Sequence, residues 1–221
     1  MQPQADPYIA PVCHGKIKIL YQDEYLLIIN KPTGLLSLSG RHPDNWDSAY
    51  YRLIKDFPTA NLVHRLDMGT SGLLIVALNK AVNGHIGKQF QNGTVKKTYV
   101  AILDGLLLDD EGQINVPIAK GVFPQQKACY ETGKQAATYY QVLERDFAQQ
   151  TTRVLFKPIT GRTHQLRIHS AQISHPILGC DLYATDQAFF KADRLMLHAS
   201  HISFTHPITL NQITLDCPAP F

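Results

Sequence analysis

The strongest constraint on the fold of this chain is the apolar run LLIVAL at residues 73–78, which follows the segment HRLDMGTSG at residues 64–72 without a break. An uninterrupted apolar run bounded by turn residues predicts a strand buried in the middle of a sheet. Arg65 and Asp67 therefore lie close to core-type residues. Burying an ionised carboxylate is costly unless a cation pairs with it. The pair belongs either to a functional site or to a loop beside a buried strand.

Strand-like segments outnumber helix-like segments along the chain. Residues 16–21 and 25–30 predict a hairpin, because a short polar turn joins two strand-like stretches. The other predicted strands are residues 94–103, 138–143, 152–156, 195–204 and 212–215, and the predicted helices are one from Trp46 capped by Asp44 or Asn45, one at residues 79–90, and one at residues 163–173 capped by Thr160 or Thr163. We therefore expect the α+β class, with a large, mostly antiparallel mixed sheet flanked by helices.

The composition is that of an ordinary globular protein. Of the 221 residues, 44% are hydrophobic and 18% are charged, which suits one large domain or two small lobes that share a core. The net charge of +3 permits an anionic partner without requiring one. No apolar run approaches the length of a membrane span. Residues 1–15 lack the pattern of a signal peptide, and we expect them to form a flexible arm.

The spacing of the cysteines, histidines and glycines disfavours two kinds of catalytic site. The cysteines include no Cys-x-x-Cys pair, and His164 and His169 are not part of a His-Glu-x-x-His motif, so we expect no metal site. These histidines are expected to form structural hydrogen bonds or to contact phosphate. The segment from Gly69 to Ser71 does not complete a serine-hydrolase elbow, because Leu73 occupies the position of the final glycine.

Two arginines in GRTHQLRIH, residues 161–169, are candidates for a functional role. On a helix, Arg162 and Arg167 would point in different directions, so one could face a partner while the other turns inward. An inward arginine needs a carboxylate, and Asp67 is the obvious candidate, since the pair would hold that carboxylate ionised. The alternative is that both arginines are solvated on the surface.

The segment KKTY at residues 96–99 begins a predicted strand, in which Lys97 and Tyr99 share one face. A tyrosine beside lysines can stack on a nucleobase while the amines meet phosphates. The alternative is a core tyrosine at a strand edge, with lysines whose ends reach the solvent.

Taken together, these segments resemble the RluA-type pseudouridine synthase family. The matching segments are HRLD with TSG at residues 64–72, KTY at residues 97–99, GRTHQLRIH at residues 161–169, HPILG at residues 175–179 and LHA at residues 197–199. The resemblance implies the pseudouridine synthase fold, with an active-site cleft across the sheet. It also implies one catalytic domain over residues 16–221, because residues 1–15 are too few to form the separate N-terminal RNA-binding domain that some members carry.

Three further segments narrow the expected substrates. Residues 30–37, 127–134 and 157–162 resemble single-domain members of dual specificity, which modify a uridine in a tRNA anticodon loop and a uridine in 23S rRNA. Gly69 and Ser39 differ from that pattern and could shift the RNA preference. The alternatives are the same chemistry on tRNA only or on another rRNA site, and a non-catalytic RNA-binding protein.

The resemblance implies isomerisation of uridine to pseudouridine by a monomeric, cytoplasmic enzyme that needs no cofactor or metal. The target uridine must leave its stack before a side chain can reach the sugar. Arg65 would fill the space left by the base, Tyr99 would stack on the uracil, and Arg167 would pair with the catalytic Asp67. The expected catalytic residues are Asp67, Tyr99 and Arg167, and the expected substrate-binding residues are Arg65, Arg162, His64 and Lys97.

Overall fold

The chain forms two compact units, and the computed structural model describes residues 8–221 of it. Unit 1 contains the described residues up to Lys96 together with His201–Pro218. Unit 2 contains Lys97–Ser200 and Ala219–Phe221. Residues 1–7 of the arm expected from the sequence lie outside the described residues.

The described part of the N-terminal segment is hydrogen-bonded to unit 1. Asn45 Nδ2 donates to the backbone oxygen of Tyr8 at 2.7 Å. Arg52 donates to the backbone oxygens of Cys13 and Gly15, both at 2.6 Å. Two side chains of unit 1 therefore hold this segment along its length.

The secondary structure follows the predicted order of elements. The strands are β1 (Lys18–Gln22), β2 (Leu26–Lys31), β3 (Asn61–Leu62), β4 (Ser71–Ala77), β5 (Lys96–Asp104), β6 (Glu111–Asn115), β7 (Ile118–Lys120), β8 (Gln126–Ala128), β9 (Ala137–Asp146), β10 (Thr151–Pro158), β11 (Leu197–Thr205) and β12 (Gln212–Asp216). The helices are α1 (Ala49–Leu53), α2 (Lys80–Gln91), α3 (Gln165–Gln172) and α4 (Asp186–Phe190).

Unit 1 is built around β4, every residue of which is buried. Its strand order is β1-β2-β4, with β3 paired to β4 and β12 paired to the part of β11 that begins at His201. Strands β2 and β4 are antiparallel, and their apolar residues face each other, as Ile28 does Ile75. The predicted central strand and the predicted β1–β2 hairpin are confirmed.

Unit 2 contains the strand order β5-β10-β9-β6. Strand β10 is antiparallel to both β5 and β9, which confirms the predicted pairing of residues 138–143 with residues 152–156. Alternate residues of these strands form a core that includes Ala101, Val154 and Phe156, and Leu166 of α3 packs into it. The hydrophobic face of unit 2 is therefore the face that α3 covers.

The ends of α2 follow local sequence rules. The side chain of Asn79 accepts a hydrogen bond from the backbone N–H of Val82 at 2.9 Å and caps the helix. Gly93 follows the last turn with φ of +69°, the left-handed conformation that suits glycine at a helix end. The predicted helix at residues 79–90 is therefore confirmed, with a shift of one residue at each end.

The predicted caps of the other two helices are wrong. Ser48 caps α1, because the side chain of Asn45 is already bonded to the backbone of the N-terminal segment. Helix α3 starts after His164, which has a left-handed φ of +58° and makes no capping hydrogen bond. The hydroxyl of Thr160 instead donates to the side chain of Gln165 at 2.7 Å. Asn45 is thus bonded to a distant segment, whereas Thr160 is bonded to the side chain of the first residue of α3.

The predicted α+β class with a large, mostly antiparallel sheet is confirmed. Among residues 8–221, the strands of each unit pair with antiparallel neighbours, and β7 and β8 form a separate hairpin. Within residues 8–221, no helix is long and apolar enough to cross a membrane.

Candidate active site

The segment that carries Arg65 and Asp67 connects β3 to β4 in unit 1. Arg65 is exposed, Leu66 is buried and Asp67 is half-buried. The hydroxyl of Ser37 donates to the backbone oxygen of Leu66 at 2.6 Å and accepts from its N–H at 3.1 Å. Leu66 is thus fixed by both its side chain and its backbone, and the two charged residues on either side of it are held near the surface.

A fully buried lysine fixes the turn that follows Asp67. Lys31, the last residue of β2, is 0% exposed. Its Nζ donates to the backbone oxygens of Pro32 at 2.9 Å, Leu35 at 2.7 Å and Met68 at 3.2 Å. An ammonium group has three donors, so each donor has a carbonyl acceptor. This arrangement offsets the cost of burying the charge and ties residues 32–35 to the turn.

Two further hydrogen bonds join residues 32–35 to the turn that follows Asp67. The hydroxyl of Thr33 donates to the backbone oxygen of Gly69 at 2.7 Å, and the N–H of Gly34 donates to that of Met68 at 2.9 Å. The N–H of Thr70 donates to the backbone oxygen of Asp67 at 3.1 Å and closes the turn. Because the backbone on both sides of Asp67 is bonded, the position of its Cα atom is set by the fold.

The structural role of Lys31 was not predicted from the sequence. The available signal was a lysine at the end of the apolar run of β2, directly before a Pro-x-Gly turn at residues 32–34. A lysine in that position is expected to snorkel to solvent, and the backbone carbonyls that surround Lys31 offset the cost of its burial.

His64 is packed into unit 1. Its Nε2 accepts a hydrogen bond from the backbone N–H of Ile75 at 3.1 Å, and its ring lies 4.6 Å from that of Phe90, measured between centroids. These contacts hold the start of the segment against β4 and α2. The structure thus gives His64 a structural role, and its contact with RNA stays a prediction.

Tyr99 and Lys97 lie on β5 in unit 2. Tyr99 is half-buried, stands opposite Phe156 and packs against the core of the unit. Lys97 is also half-buried, and burial lowers the pKa of its ammonium group. Alternation along the strand places the two side chains on one face, as the sequence predicts.

Arg167 is buried in unit 2, with 5% of its surface exposed, so the prediction of an inward arginine is confirmed. Its Nη2 forms an ion pair with Asp181, and its Nε donates to Cys180 Sγ at 3.3 Å. The guanidinium also lies over the ring of Tyr183, 5.3 Å from the centroid. Sequence reasoning missed Asp181, because it lies in a loop well after α3. The pairing of Arg167 with Asp67 stays a prediction.

Arg162 differs from Arg167 in position and burial. It precedes α3, is exposed, and its Nε donates to the backbone oxygen of Gln135 at 3.0 Å. The prediction that both arginines project from one helix is therefore wrong, because the N–H of Arg162 bonds the side chain of Gln165 and the helix begins only there. An outward role for Arg162 agrees with its exposure.

The histidines of unit 2 make structural hydrogen bonds. His169 is fully buried, with Nε2 at 3.0 Å from the backbone oxygen of Val116 and Nδ1 at 2.9 Å from the hydroxyl of Thr138. Because a carbonyl only accepts, Nε2 carries the proton. Burial lowers the pKa of His169, and the bond to Val116 offsets part of that effect. Across the described residues, no group of three His, Cys, Asp or Glu side chains is placed to hold a metal.

A surface cavity of about 530 Å³ lies in unit 2 between β8 and α3. Gln126 and Lys127 line it on one side, and Ile168 and Gln172 line it on the other. Tyr183 also lines this cavity, and its ring packs against the guanidinium of Arg167.

A family model described as RNA pseudouridylate synthase matches residues 25–172. The chain belongs to the RNA pseudouridylate synthase family. The matched region contains Asp67, Tyr99 and Arg167. The family assignment confirms the resemblance and the prediction of an isomerase that forms pseudouridine in RNA.

Curated relatives match almost the whole chain. The dual-specificity RNA pseudouridine synthase RluA of Yersinia pestis is 49% identical over 205 residues, which is 92% of this chain and 99% of the relative. The RluA of Escherichia coli K12 is 47% identical over 92% of this chain and 93% of the relative. The RluA of Pasteurella multocida is 42% identical over 99% of this chain and 97% of the relative.

Solved structures of the same family share the fold. Human RNA Pseudouridylate Synthase Domain Containing 1 has a TM-score of 0.79 and is 30% identical, over 96% of this chain and 86% of the human chain. Human RNA Pseudouridylate Synthase Domain Containing 4 has a TM-score of 0.72 and is 25% identical, over 91% of this chain and 88% of that chain.

Proposed function

We propose that this pseudouridine synthase has dual specificity and modifies a uridine in a tRNA anticodon loop and a uridine in 23S rRNA. The observation that carries the proposal is identity of 42–49% over at least 92% of this chain to enzymes named for dual specificity. In this proposal the protein works as a monomer in the cytoplasm. Its net charge of +3 suits an RNA partner.

The reaction in the proposal is an isomerisation. The N1–C1′ bond between uracil and ribose breaks, the uracil turns, and a C5–C1′ bond forms. The proton on C5 is lost and N1 gains one, so the reaction is redox-neutral. The uridine must first leave its stack, which costs less in a loop than in a duplex.

Arg65 and Asp67 have different roles in the proposal. The exposed guanidinium of Arg65 fills the space left by the flipped base, since its planar group can both stack and donate hydrogen bonds. The carboxylate of Asp67 is the catalytic group, which attacks the sugar or the base, or removes a ribose proton. The hydrogen bonds around Met68 and Gly69 support this role, because they fix the backbone next to the acid.

The residues of unit 2 complete the proposed machinery. Tyr99 stacks on the uracil, and its phenol assists removal of the C5 proton. Arg167 pairs with the carboxylate of Asp67. The half-buried ammonium of Lys97 and the exposed guanidinium of Arg162 meet RNA phosphates.

Tritium release tests the proposal most simply. Uridine labelled at C5 is incorporated into a tRNA transcript and into a 23S rRNA fragment, and release is measured with the purified protein. We expect release from both RNAs and none when the target uridine of each is replaced by cytidine. Release from only one RNA would overturn dual specificity, and release from neither would favour a non-catalytic RNA-binding role.

A further inference from the structure

The guanidinium of Arg167 is held by Asp181, Cys180 and Tyr183, none of which is among the expected site residues. We propose that Asp181 and Tyr183 are positioning residues that set the direction of the Arg167 side chain for the reaction. The inference rests on the role of Arg167 in the proposed function. It concerns unit 2 alone, where all of the contacts lie.

Asp181 and Cys180 fix the plane of the guanidinium. The carboxylate of Asp181 accepts a hydrogen bond from Nη2 of Arg167. The sulfur of Cys180 accepts a hydrogen bond from Nε of Arg167 at 3.3 Å. A guanidinium is planar and rigid, so bonds to two of its nitrogens also fix the direction of the third nitrogen, Nη1. A compact ammonium in place of Arg167 could not make both contacts and keep that direction.

Tyr183 supports the same guanidinium from one face. The centroid of its ring lies 5.3 Å from the guanidinium carbon of Arg167, within the range of a cation–π contact. Its hydroxyl is hydrogen-bonded to His164 Nδ1 at 2.7 Å and accepts the N–H of Gln126 at 2.9 Å. The ring is therefore fixed by the residue that precedes α3 and by the first residue of β8.

The bond to Gln126 makes the hairpin of β7 and β8 part of the same arrangement. If β8 moves, the hydroxyl of Tyr183 loses the N–H of Gln126, which is one of the bonds that fix the ring under Arg167. The cavity of about 530 Å³ is lined by both Gln126 and Tyr183, so a ligand bound there would act on this contact. The orientation of Arg167 thus depends on residues that do not themselves act on the uridine.

A purely structural role makes a different prediction from a positioning role. The side chain of Asp181 is 56% exposed, so solvent partly offsets the loss of its ion pair with the buried Arg167. Replacement of Tyr183 by Phe keeps the ring and removes only the hydroxyl bonds. Positioning predicts a loss of kcat at unchanged KM, whereas a structural role predicts a loss of melting temperature.

The test compares Asp181→Asn and Tyr183→Phe with two matched controls. Asp110→Asn removes the ion pair between Asp110 and Arg145, in which Oδ1 of Asp110 lies 2.7 Å from Nη2 of Arg145. Tyr139→Phe removes a hydroxyl bonded to Glu111 from a ring that lies 5.3 Å from the ammonium of Lys157. The controls therefore lose the same kinds of contact elsewhere in unit 2.

We expect Asp181→Asn to lower kcat on the tRNA transcript about ten- to hundredfold, because displacement of a positioned catalytic group has costs of that order. Tyr183→Phe should lower kcat less, KM should stay the same, and neither control should change kcat. Asp181→Glu should restore part of the loss, since it keeps the charge. An unchanged kcat for Asp181→Asn, or a fall only in melting temperature, would overturn the proposal.

A double-mutant cycle separates this proposal from the proposed function. In an Arg167→Lys background, Asp181→Asn should cause no further loss of kcat, because Asp181 acts through the guanidinium. Equal losses in both backgrounds would overturn the positioning role. Full activity of Arg167→Ala would instead contradict the proposed role of Arg167 itself.

Discussion

Lys31 Nζ donates a hydrogen bond to the backbone oxygen of Met68 at 3.2 Å, so a fully buried cation holds the residue that follows Asp67. The same ammonium bonds the backbone oxygens of Pro32 and Leu35. These carbonyls lie in the segment that follows β2 and in the turn that precedes β4. The position of the proposed catalytic acid is therefore linked to the apolar core of unit 1.

Replacement of Lys31 by Met should destabilise the protein and lower its activity. The methionine keeps most of the apolar volume but leaves buried carbonyls without a donor, at a cost of about 2–4 kcal/mol in the free energy of unfolding. Urea unfolding measures this cost. Lys88→Met, on the exposed face of α2, is the control and should change it by less than about 0.5 kcal/mol. A Lys31→Met variant as stable as this control would contradict the role of Lys31.

Replacement of Arg167 by Ala should affect both stability and turnover. The variant loses a buried side chain with three contacts, and we expect a fall of about 1–3 kcal/mol in the free energy of unfolding. Tritium release should fall because the proposed partner of Asp67 is gone. Arg145→Ala also loses an ion pair in unit 2 and should keep its turnover. Normal turnover and stability of Arg167→Ala would refute the assignment.

Replacement of Tyr99 by Phe should separate binding from chemistry. The ring is kept, so the Kd for the tRNA transcript in a filter-binding assay should change little, while removal of the C5 proton slows. Tyr139→Phe on β9 is the control for loss of a hydroxyl. A large rise in Kd for Tyr99→Phe would argue against a stacking role.

The burial of His169 predicts a pH-dependent stability. The pKa of its imidazole is lowered from 6.5, mainly by burial, so the unfolded chain binds a proton more readily than the folded chain. The resulting stability is fully present above the unfolded pKa and is lost as the pH falls below it. The melting temperature should therefore fall between about pH 7 and pH 5.

Substitution tests whether His169 causes that fall. His169→Gln should have a weaker pH dependence of the melting temperature over the same interval, whereas His85→Gln, on the exposed face of α2, should keep the dependence of the wild type. An unchanged pH dependence in His169→Gln would show that other groups are responsible.

Local patterns were sufficient to predict most of the fold. The buried strand β4, the β1–β2 hairpin and the helix α2 all follow from neighbouring residues in the sequence. The start of α3 could not be predicted, because His164 takes a left-handed conformation while its ring bonds Tyr183. That contact belongs to the tertiary structure and leaves no local signal.

In the candidate site, too, some features could be predicted from the sequence and others depend on tertiary contacts. Residue spacing left open which of Arg162 and Arg167 turns inward, the family resemblance pointed to Arg167, and the burial of Arg167 confirms that it turns inward. Asp181 and Lys31 could not be recognised, since each acts on residues far away in sequence. A residue type that is usually exposed gives no sign of burial until its partners are known.

The central claim is that the carboxylate of Asp67 performs the chemistry, and Asp67→Asn tests it most directly. The substitution keeps the size of the side chain and the backbone bond to Thr70, so the melting temperature should stay at the wild-type value. Asp56→Asn, an exposed acid in unit 1, is the matched control. Tritium release from C5-labelled tRNA should be normal for the control and absent for Asp67→Asn. Release by Asp67→Asn at a rate near that of the wild type would contradict the account.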